Sequence, residues 1–351
     1  MKKEGNIYKK SFYCCDLPGC IDGEGIFDLF LLYKMDYCSN DRAVKWFNVI
    51  LSDRSGYVKA KIWSDKMRME YEGYVGQVVL VQGRISFYGG RPELSVEKMK
   101  LMEDGTYHLQ EICRVLSEQK LAACTKKVVE LTEKIVSQEL KAFVKDILCG
   151  EALERMGRLP VHLKGHHSYQ GALLEHTCEV AFSSYCLACS AAAVHCMRCN
   201  MDIVIAGALL HDIASLIQYK AEGYGFVQEN AKRLIGHTGS AHALLEKKKE
   251  AAHLDEQLYS LLVHVIHSTH EDGMEPATME AMIVRNANRL SAELELYESA
   301  CMSNSMIYAQ DDAFVWSKDL KRAIYARKDM DYDGKSQNDK GSGTVKGERA
   351  L

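Results

Sequence analysis

Gly207–Ser215 reads GALLHDIAS, and the reading of the whole chain turns on this stretch. An apolar run ends in His211 and Asp212, two adjacent side chains that can both bind metal. Imidazole suits borderline divalent ions and carboxylate suits hard ones, so the pair can serve one centre. A His-Asp dipeptide alone is commonplace surface or capping chemistry. Its meaning depends on what else in the chain can reach it.

All but one of the 13 histidines lie between His162 and His270. His166 and His167 follow Lys164-Gly165, and His176 follows on a helical pattern with Leu173, Leu174 and Val180 as its apolar face. His237 sits in LIGH, and Val263–His270 (VHVIHSTH) carries His264, His267 and His270. A further helix carries Asn288 in ANRLSA. Helices that each bring one His to a common point, with an Asp able to bridge, are how a helical core builds one or two metal sites. His195, His242 and His253 read as ordinary polar helix residues.

The rest of the chain bounds the reading. Its 351 residues suggest about two domains, each able to bury a core. Apolar residues at 47%, charged residues at 26% and a net charge of −4 fit a globular protein with no global pull toward nucleic acid or membrane. The N-terminus lacks the apolar segment of a signal peptide, and no run approaches the ~18 apolar residues of a membrane span. A cytoplasmic, reducing location is therefore expected, with the 13 cysteines as free thiols or metal ligands. Cys186-x-x-Cys189 and Cys196-x-x-Cys199 have zinc-like spacing. They fall on a continuous helical pattern through Thr177–Ala193, so packing is the preferred reading.

Residues 1–105 carry strand signals. Runs at 26–33, 44–52, 57–63, 77–86 and 92–99 are apolar or alternating, with Gly83 marking a bulge or bend and a short helix near 66–71. Five short strands in this order suggest an oligonucleotide-binding (OB) barrel. Such faces stack single-stranded bases on aromatics beside cations. Lys45, Trp46, Phe47, Lys59, Lys61, Trp63, Arg84, Phe87, Tyr88 and Arg91 are the candidates, with Trp63 and Phe47 the first to be assigned to the barrel core. The region holds 16 Lys and Arg against 15 Asp and Glu, so any groove is local. Tyr107–Gly150 reads as helical throughout, from Leu109, Ile112 and Leu116 onward. The expected organisation is α+β: a five-stranded barrel over 1–105, helical linker over 106–160, an all-α domain over 161–325 and a disordered tail over 326–351.

His176, His211-Asp212, His237 and His270 in this order resemble the HD superfamily of metal-dependent phosphohydrolases. Over about residues 25–300 the chain resembles more closely the YhaM-type 3′-5′ exoribonucleases, which join an OB barrel to an HD domain. DLFLLYK, SDRSGYVKAKIW, HHSYQGALLEHT, AGALLHD, LIGH and ANRLSA carry the resemblance together. It implies that His176, His211 and Asp212 bind one divalent metal, with Asp212 shared with a second at His237 and His270. Lys164, His166 and His167 would face substrate phosphate or ribose, and the substrate would be single-stranded RNA trimmed from its 3′ end. Mn²⁺ suits the mixed imidazole-carboxylate set better than Mg²⁺. Proteins of this resemblance act as homo-oligomers. The chain departs from the family at Ala214-Ser215, where Gly-Lys is usual, at Thr269, where a His pair can occur, and at Asn288, where a carboxylate is usual. Three readings follow: an exoribonuclease with a modified metal site, an HD domain that binds RNA or nucleotide without hydrolysis, and a phosphohydrolase of a small nucleotide.

Overall fold

The computed structural model describes residues 7–40, 44–88, 91–163, 166–196, 198–252, 254–270, 273–305 and 313–326. The sequence positions 327–351 assigned to a disordered tail lie outside them.

Five strands, β1 (Gly25–Ser39), β2 (Lys45–Asp53), β3 (Gly56–Trp63), β4 (Val78–Tyr88) and β5 (Arg91–Leu101), close in the order β1-β2-β3-β5-β4. The pairing is antiparallel except for β3 with β5. This is the OB-type barrel that the strand pattern leads one to expect. Phe30, Leu32, Phe47, Val49, Leu51, Val58, Ala60, Ile62, Val81 and Leu94 fill its interior. Their period-two spacing turns Tyr57, Lys59, Lys61 and Trp63 outward along β3. Phe47 is a core residue, 1% exposed, but Trp63 is 42% exposed, so the expectation of Trp63 in the core is wrong. The alternation of YVKAKIW overrides its bulk. Gly83 sits at a bulge, where a Cβ would lie 2.5 Å from the Ser95 carbonyl oxygen.

The segment before β1 is strapped across the barrel by buried charge. Lys10 Nζ lies 3.2 Å from Asp53 Oδ2 and 4.0 Å from Asp28 Oδ1, with all three side chains fully buried. Asp28 accepts from the backbone of Ser11 and Phe12, and Asp53 from that of Cys14. Each buried charge is thus both paired and hydrogen-bonded, as its desolvation requires.

Residues 107–117 are not the start of a helix. A single 3-10 turn at Leu109–Glu111 is followed by extended chain, and Val115 bridges to Gln170. The three- and four-residue spacing of Leu109, Ile112 and Leu116 is met by this turn packing on the barrel, with Ile112 buried beside Leu29, Leu31, Val78 and Tyr107. Helices then run as α1 (Glu118–Glu133), α2 (Gln138–Ile147), α3 (Gly150–Met156), α4 (Ala172–His195), α5 (Met201–Leu210) and α6 (Ser215–Gln218). The α1 helix is capped by Ser117, whose side chain accepts from the Lys120 backbone. A hairpin of β6 (Tyr219–Glu222) and β7 (Gly225–Gln228) interrupts what reads as all-α sequence. It is followed by α7 (Asn230–Leu234), α8 (Gly236–Ala252), α9 (Glu256–His267) and α10 (Met279–Ser305). One apolar core joins α1 to α10, with Phe143, Leu174, Ile205, Leu209, Val265 and Val284 among its members.

Two stretches, Ala172–Val194 and Met201–Gln218, are long and apolar enough to cross a membrane by length and composition, contrary to the sequence reading. The second is 83% buried inside the protein, where it forms the centre of the helical core.

Barrel and helices share one compact unit, Met1–Leu296. A second unit begins at Tyr297; within it β8 (Ala313–Ser317) and β9 (Arg322–Ala326) form a hairpin whose Val315 and Ile324 cluster with Cys301.

Barrel and β6-β7 hairpin meet backbone to backbone. Gly76 (φ 81°) and Gly223 (φ 59°) face each other, and Tyr224 N–H donates to the Gly76 carbonyl at 2.6 Å. A Cβ on Gly76 would lie 1.9 Å from the Glu222 carbonyl oxygen. Gly76→Ala combines a left-handed φ with that collision. It should lower stability by about 2–3 kcal/mol, measured by denaturant unfolding. An unchanged midpoint would mean that the junction opens without cost.

Candidate metal centre

The end of α5 sets the centre. Gly207 lets α9 approach α5 closely: a Cβ there would lie 2.5 Å from Val265 Cγ1. One turn later the chain leaves α5 with His211 and Asp212 fully or almost fully buried. His176 comes from the first turns of α4, His237 from the start of α8, and His270 from just beyond α9.

Asp212 offers one oxygen to each of two groups. Its Oδ2 lies 3.6 Å from His176 Nε2 and 3.4 Å from His211 Nε2, and those nitrogens are 3.2 Å apart. Its Oδ1 lies 3.2 Å from His237 Nε2 and 3.3 Å from His270 Nε2. The structure therefore brings together all five of these sequence-predicted residues as two donor triangles sharing a carboxylate. Ligands held about 2.1 Å from one ion lie roughly 3.0–3.4 Å apart, close to the spacing of both sets.

Proton placement sharpens the fit. His211 Nδ1 is 2.8 Å from the Ala208 carbonyl, which can only accept, so Nδ1 carries the hydrogen. His176 Nδ1 is 2.9 Å from Ser291 Oγ, whose own hydrogen goes to Glu179 Oε2 at 2.7 Å. His176 Nε2 then turns its lone pair toward His211 Nε2 and Asp212 Oδ2, a buried oxygen with no hydrogen-bond partner among the described residues. Burial, with His167 and His211 alongside, holds His176 well below its usual range, so it does not ionise to relieve the arrangement. Burial alone would raise the Asp212 carboxyl, but His211, His237 and His270 pull it well below the usual carboxylate range. Three ligand atoms meeting at this spacing fit a cation. At the second set, Gln218 donates to the Gly236 carbonyl, which turns its Oε1 toward His237 Nδ1 at 3.2 Å and leaves His237 Nε2 facing Asp212.

Asn288 lies on α10 against the His270 segment, donating to the Thr269 carbonyl at 3.4 Å, and its buried Oδ1 has no hydrogen-bond partner. Ser215, where a lysine is expected, is 1% exposed with an unpartnered Oγ. Ala214 is fully buried. Neither residue offers a charge.

The loop before α4 contributes a further ring of imidazoles. His167 is buried, with φ 52°, and its ring centroid is 4.5 Å from that of His176. His166 packs on His162 at 4.6 Å and on His176 at 5.9 Å. Burial pulls His166 down to about 3 and His162 down to about 4. Both rings are neutral at physiological pH and can recognise a phosphate only by hydrogen bonding, not by charge. Lys164 lies outside the described residues. His162 and Gln218 were not singled out from sequence, nor was Glu179. Glu179 alone carried a positional signal, one helical turn after His176.

On the barrel, Trp63 and Trp46 pair across strands with centroids 6.1 Å apart. Lys61 Nζ is 5.0 Å from the Tyr88 ring centroid and 2.9 Å from Glu93 Oε2. Arg84 is 3.1 Å from Glu97 Oε1, and Tyr88 is 74% exposed. The Arg91 side chain lies outside the described residues. The cysteine-rich stretch is one continuous helix up to His195, and all 13 cysteines are free.

The helices that converge on the His-Asp centre fall in a stretch that matches a known family model. Residues 173–293 match the family model described as HD domain, a class that binds divalent metals. The chain is similar to the 3′-5′ exoribonuclease YhaM of Listeria monocytogenes serotype 4b (strain CLIP80459), 25% identical over 289 residues covering 77% of this chain and 86% of that protein. The YhaM proteins of Listeria innocua serovar 6a and Listeria welshimeri serovar 6b match over the same share at 25% and 23% identity. Among solved structures, asparaginyl-tRNA synthetase from Pyrococcus horikoshii aligns over 41% of this chain and 36% of that chain at 16% identity with a TM-score of 0.22. The HD match and the YhaM relatives together support a nuclease or phosphohydrolase function.

If the donor triangles hold a cation, Mn²⁺ should raise the unfolding temperature of metal-free protein in a saturable way. At 100 times the dissociation constant the gain is about 2.7 kcal/mol. Asp212→Ala, which removes the shared carboxylate, should abolish the shift in differential scanning fluorimetry. An equal shift in that variant would remove Asp212 from the site.

Proposed function

We propose that the protein is a metal-dependent 3′-5′ exoribonuclease that trims single-stranded RNA. The observation that carries the proposal is the close meeting of His176 Nε2, His211 Nε2 and Asp212 Oδ2. His176, His211 and Asp212 would hold one divalent ion, and Asp212, His237 and His270 a second, with Asn288 offering a neutral carbonyl oxygen nearby. The mixed donor set favours Mn²⁺ or another transition ion over Mg²⁺. Such an ion supplies positive charge at the scissile phosphate and makes water nucleophilic at neutral pH. The chain's own part is to hold the donors rigid, exclude bulk water from Asp212, and offer neutral imidazole donors from His162 and His166, with His167 beside them, to the terminal nucleotide. Lys164 belongs to that loop and is proposed as its phosphate-binding cation.

The barrel supports a route to this centre. Outward residues Trp63, Lys61, Lys59 and Tyr57 lie along β3 over about 20 Å. Tyr57 packs on Tyr33 at 5.2 Å between ring centroids. Tyr33 is the extra residue of a β-bulge in β1, and its hydroxyl lies 3.5 Å from the Leu163 carbonyl, beside the histidine loop. Bases stacked on Trp46 and Trp63 would be followed by a strand leading toward that loop. Arg84 sits in the next outward row, both it and Lys61 opposing Ser95. Their carboxylate partners, Glu97 and Glu93, temper the charge and favour stacking over electrostatics. Tyr88 and Arg91, at the β4-β5 turn, complete the proposed surface. Free thiols throughout suit a reducing compartment, for which the cytoplasm is proposed.

A homo-oligomer belongs to the same proposal. Only 28% of the apolar window of α4 is buried within one chain, and Phe182, Leu187 and Val194 stand exposed on it. Sedimentation should return a multiple of the 39.5 kDa chain; a monomer at micromolar concentration would refute this part.

A second reading, RNA binding without hydrolysis, draws on the two neutral positions Ser215 and Asn288. A degradation assay on 5′-labelled single-stranded RNA separates the two. Mn²⁺ should stimulate stepwise shortening of the labelled strand from its 3′ end, and Asp212→Ala should abolish it. Trp63→Ala should weaken RNA affinity roughly 5- to 100-fold, the equivalent of about 1–3 kcal/mol per stacked base. Affinity without product would establish the binding reading, and hydrolysis of nucleotides but not of oligonucleotides a small-substrate enzyme.

A further inference from the structure

We infer that Glu179, acting through Ser291, is a positioning residue for His176 and supplies the centre with negative charge that Asn288 does not. The inference rests on the metal centre proposed above. Glu179 follows His176 by one turn of α4, and Ser291 follows Asn288 by one turn of α10, so the two helices present these residues to each other. Ser291 Oγ stands between them, 2.7 Å from Glu179 Oε2 and 2.9 Å from His176 Nδ1.

The direction of this chain is fixed by chemistry. A serine hydroxyl has one hydrogen, and a carboxylate can only accept. The hydrogen therefore goes to Glu179, and Ser291 Oγ accepts from His176 Nδ1–H. His176 is locked in the tautomer that turns its Nε2 lone pair toward His211 and Asp212. A carboxylate at the far end of such a chain also raises the basicity of the ligating nitrogen. His167 Nε2 lies 3.6 Å from the same Glu179 oxygen and steadies it from the other side. The arrangement also decides against a third ion. The ligand atoms of His167, His176 and Glu179 lie within 4.8 Å of one another, but His176 Nδ1 is engaged by Ser291 and its Nε2 faces the other way.

An HD centre with a carboxylate at 288 would carry two anionic ligands; this one carries Asp212 alone. Glu179 reaches the centre through the Ser291 hydroxyl. Its side chain is 44% exposed, so its effect belongs at the low end of the 10- to 100-fold range for outer partners of metal ligands.

Two readouts test this. Long-range ¹H–¹⁵N NMR of histidine-labelled, metal-free protein should show His176 protonated on Nδ1. In Glu179→Gln, whose amide can reverse the chain, and in Ser291→Ala, which breaks it, that fixed tautomer should give way to a mixture. Calorimetric titration with Mn²⁺ should show affinity falling about tenfold in both variants, with Ser291→Thr restoring it. In an Asn288→Asp background the Glu179→Gln loss should shrink to less than threefold, which a merely structural role would not produce. An Nδ1–H tautomer unchanged in Glu179→Gln, with Mn²⁺ affinity within twofold of the parent, would overturn the inference while leaving the exoribonuclease reading standing. A parent protein that binds no Mn²⁺ would overturn that reading instead, and the metal-free tautomer would still decide the relay.

Discussion

A carboxylate with no exposed surface to speak of, Asp212, is the group around which the helical half is arranged. An ionised carboxyl in a low-dielectric interior costs several kcal/mol unless something compensates it. Around it stand four imidazoles on four separate elements, so α4, α5, α8 and the end of α9 must all converge on one side chain. Gly207 serves that convergence by removing the Cβ that would hold α9 off α5. His176 stays neutral because it is buried beside other imidazoles. The arrangement is therefore under-compensated by protein groups alone, and its electrostatics favour a cation over any internal rearrangement of protons.

Much of this was legible because the residue types are chemically distinctive. His176, His211, Asp212, His237 and His270 could be picked out by type and order. The residues that set their orientation could not. Gln218 faces His237 only because a four-residue helix and a hairpin turn follow Asp212, and Ser291 matters only because α10 lies across α4. Neither relationship has a period in the sequence. Trp63 shows the opposite failure: its alternation with Ile62 and Ala60 already turned it outward, and its size argued it inward. Pattern was the better guide, since a barrel interior this small is filled by Phe30, Phe47 and the aliphatic residues. The 107–117 segment misled for a related reason. Leu109, Ile112 and Leu116 have helical spacing, but the first two pack on the barrel and Leu116 on Tyr169 and Ala172, and a turn plus extended chain satisfies them equally well.

The second constraint is the junction between barrel and helices, which is made by backbone. Gly76 and Gly223 approach too closely for any side chain, and Tyr224 closes the contact through both its N–H and its hydroxyl, the latter 3.2 Å from Asp104. Side-chain interfaces tolerate sliding; a backbone contact between two left-handed glycines does not. The orientation of the barrel against the β6-β7 hairpin is thereby fixed, and with it the position of the β1 bulge. That bulge aims Tyr33 at the loop carrying His162, His166 and His167. A regular strand would have sent residue 33 along the pleat with its neighbours. One inserted residue in β1 thus couples the outer face of the barrel to the histidine loop.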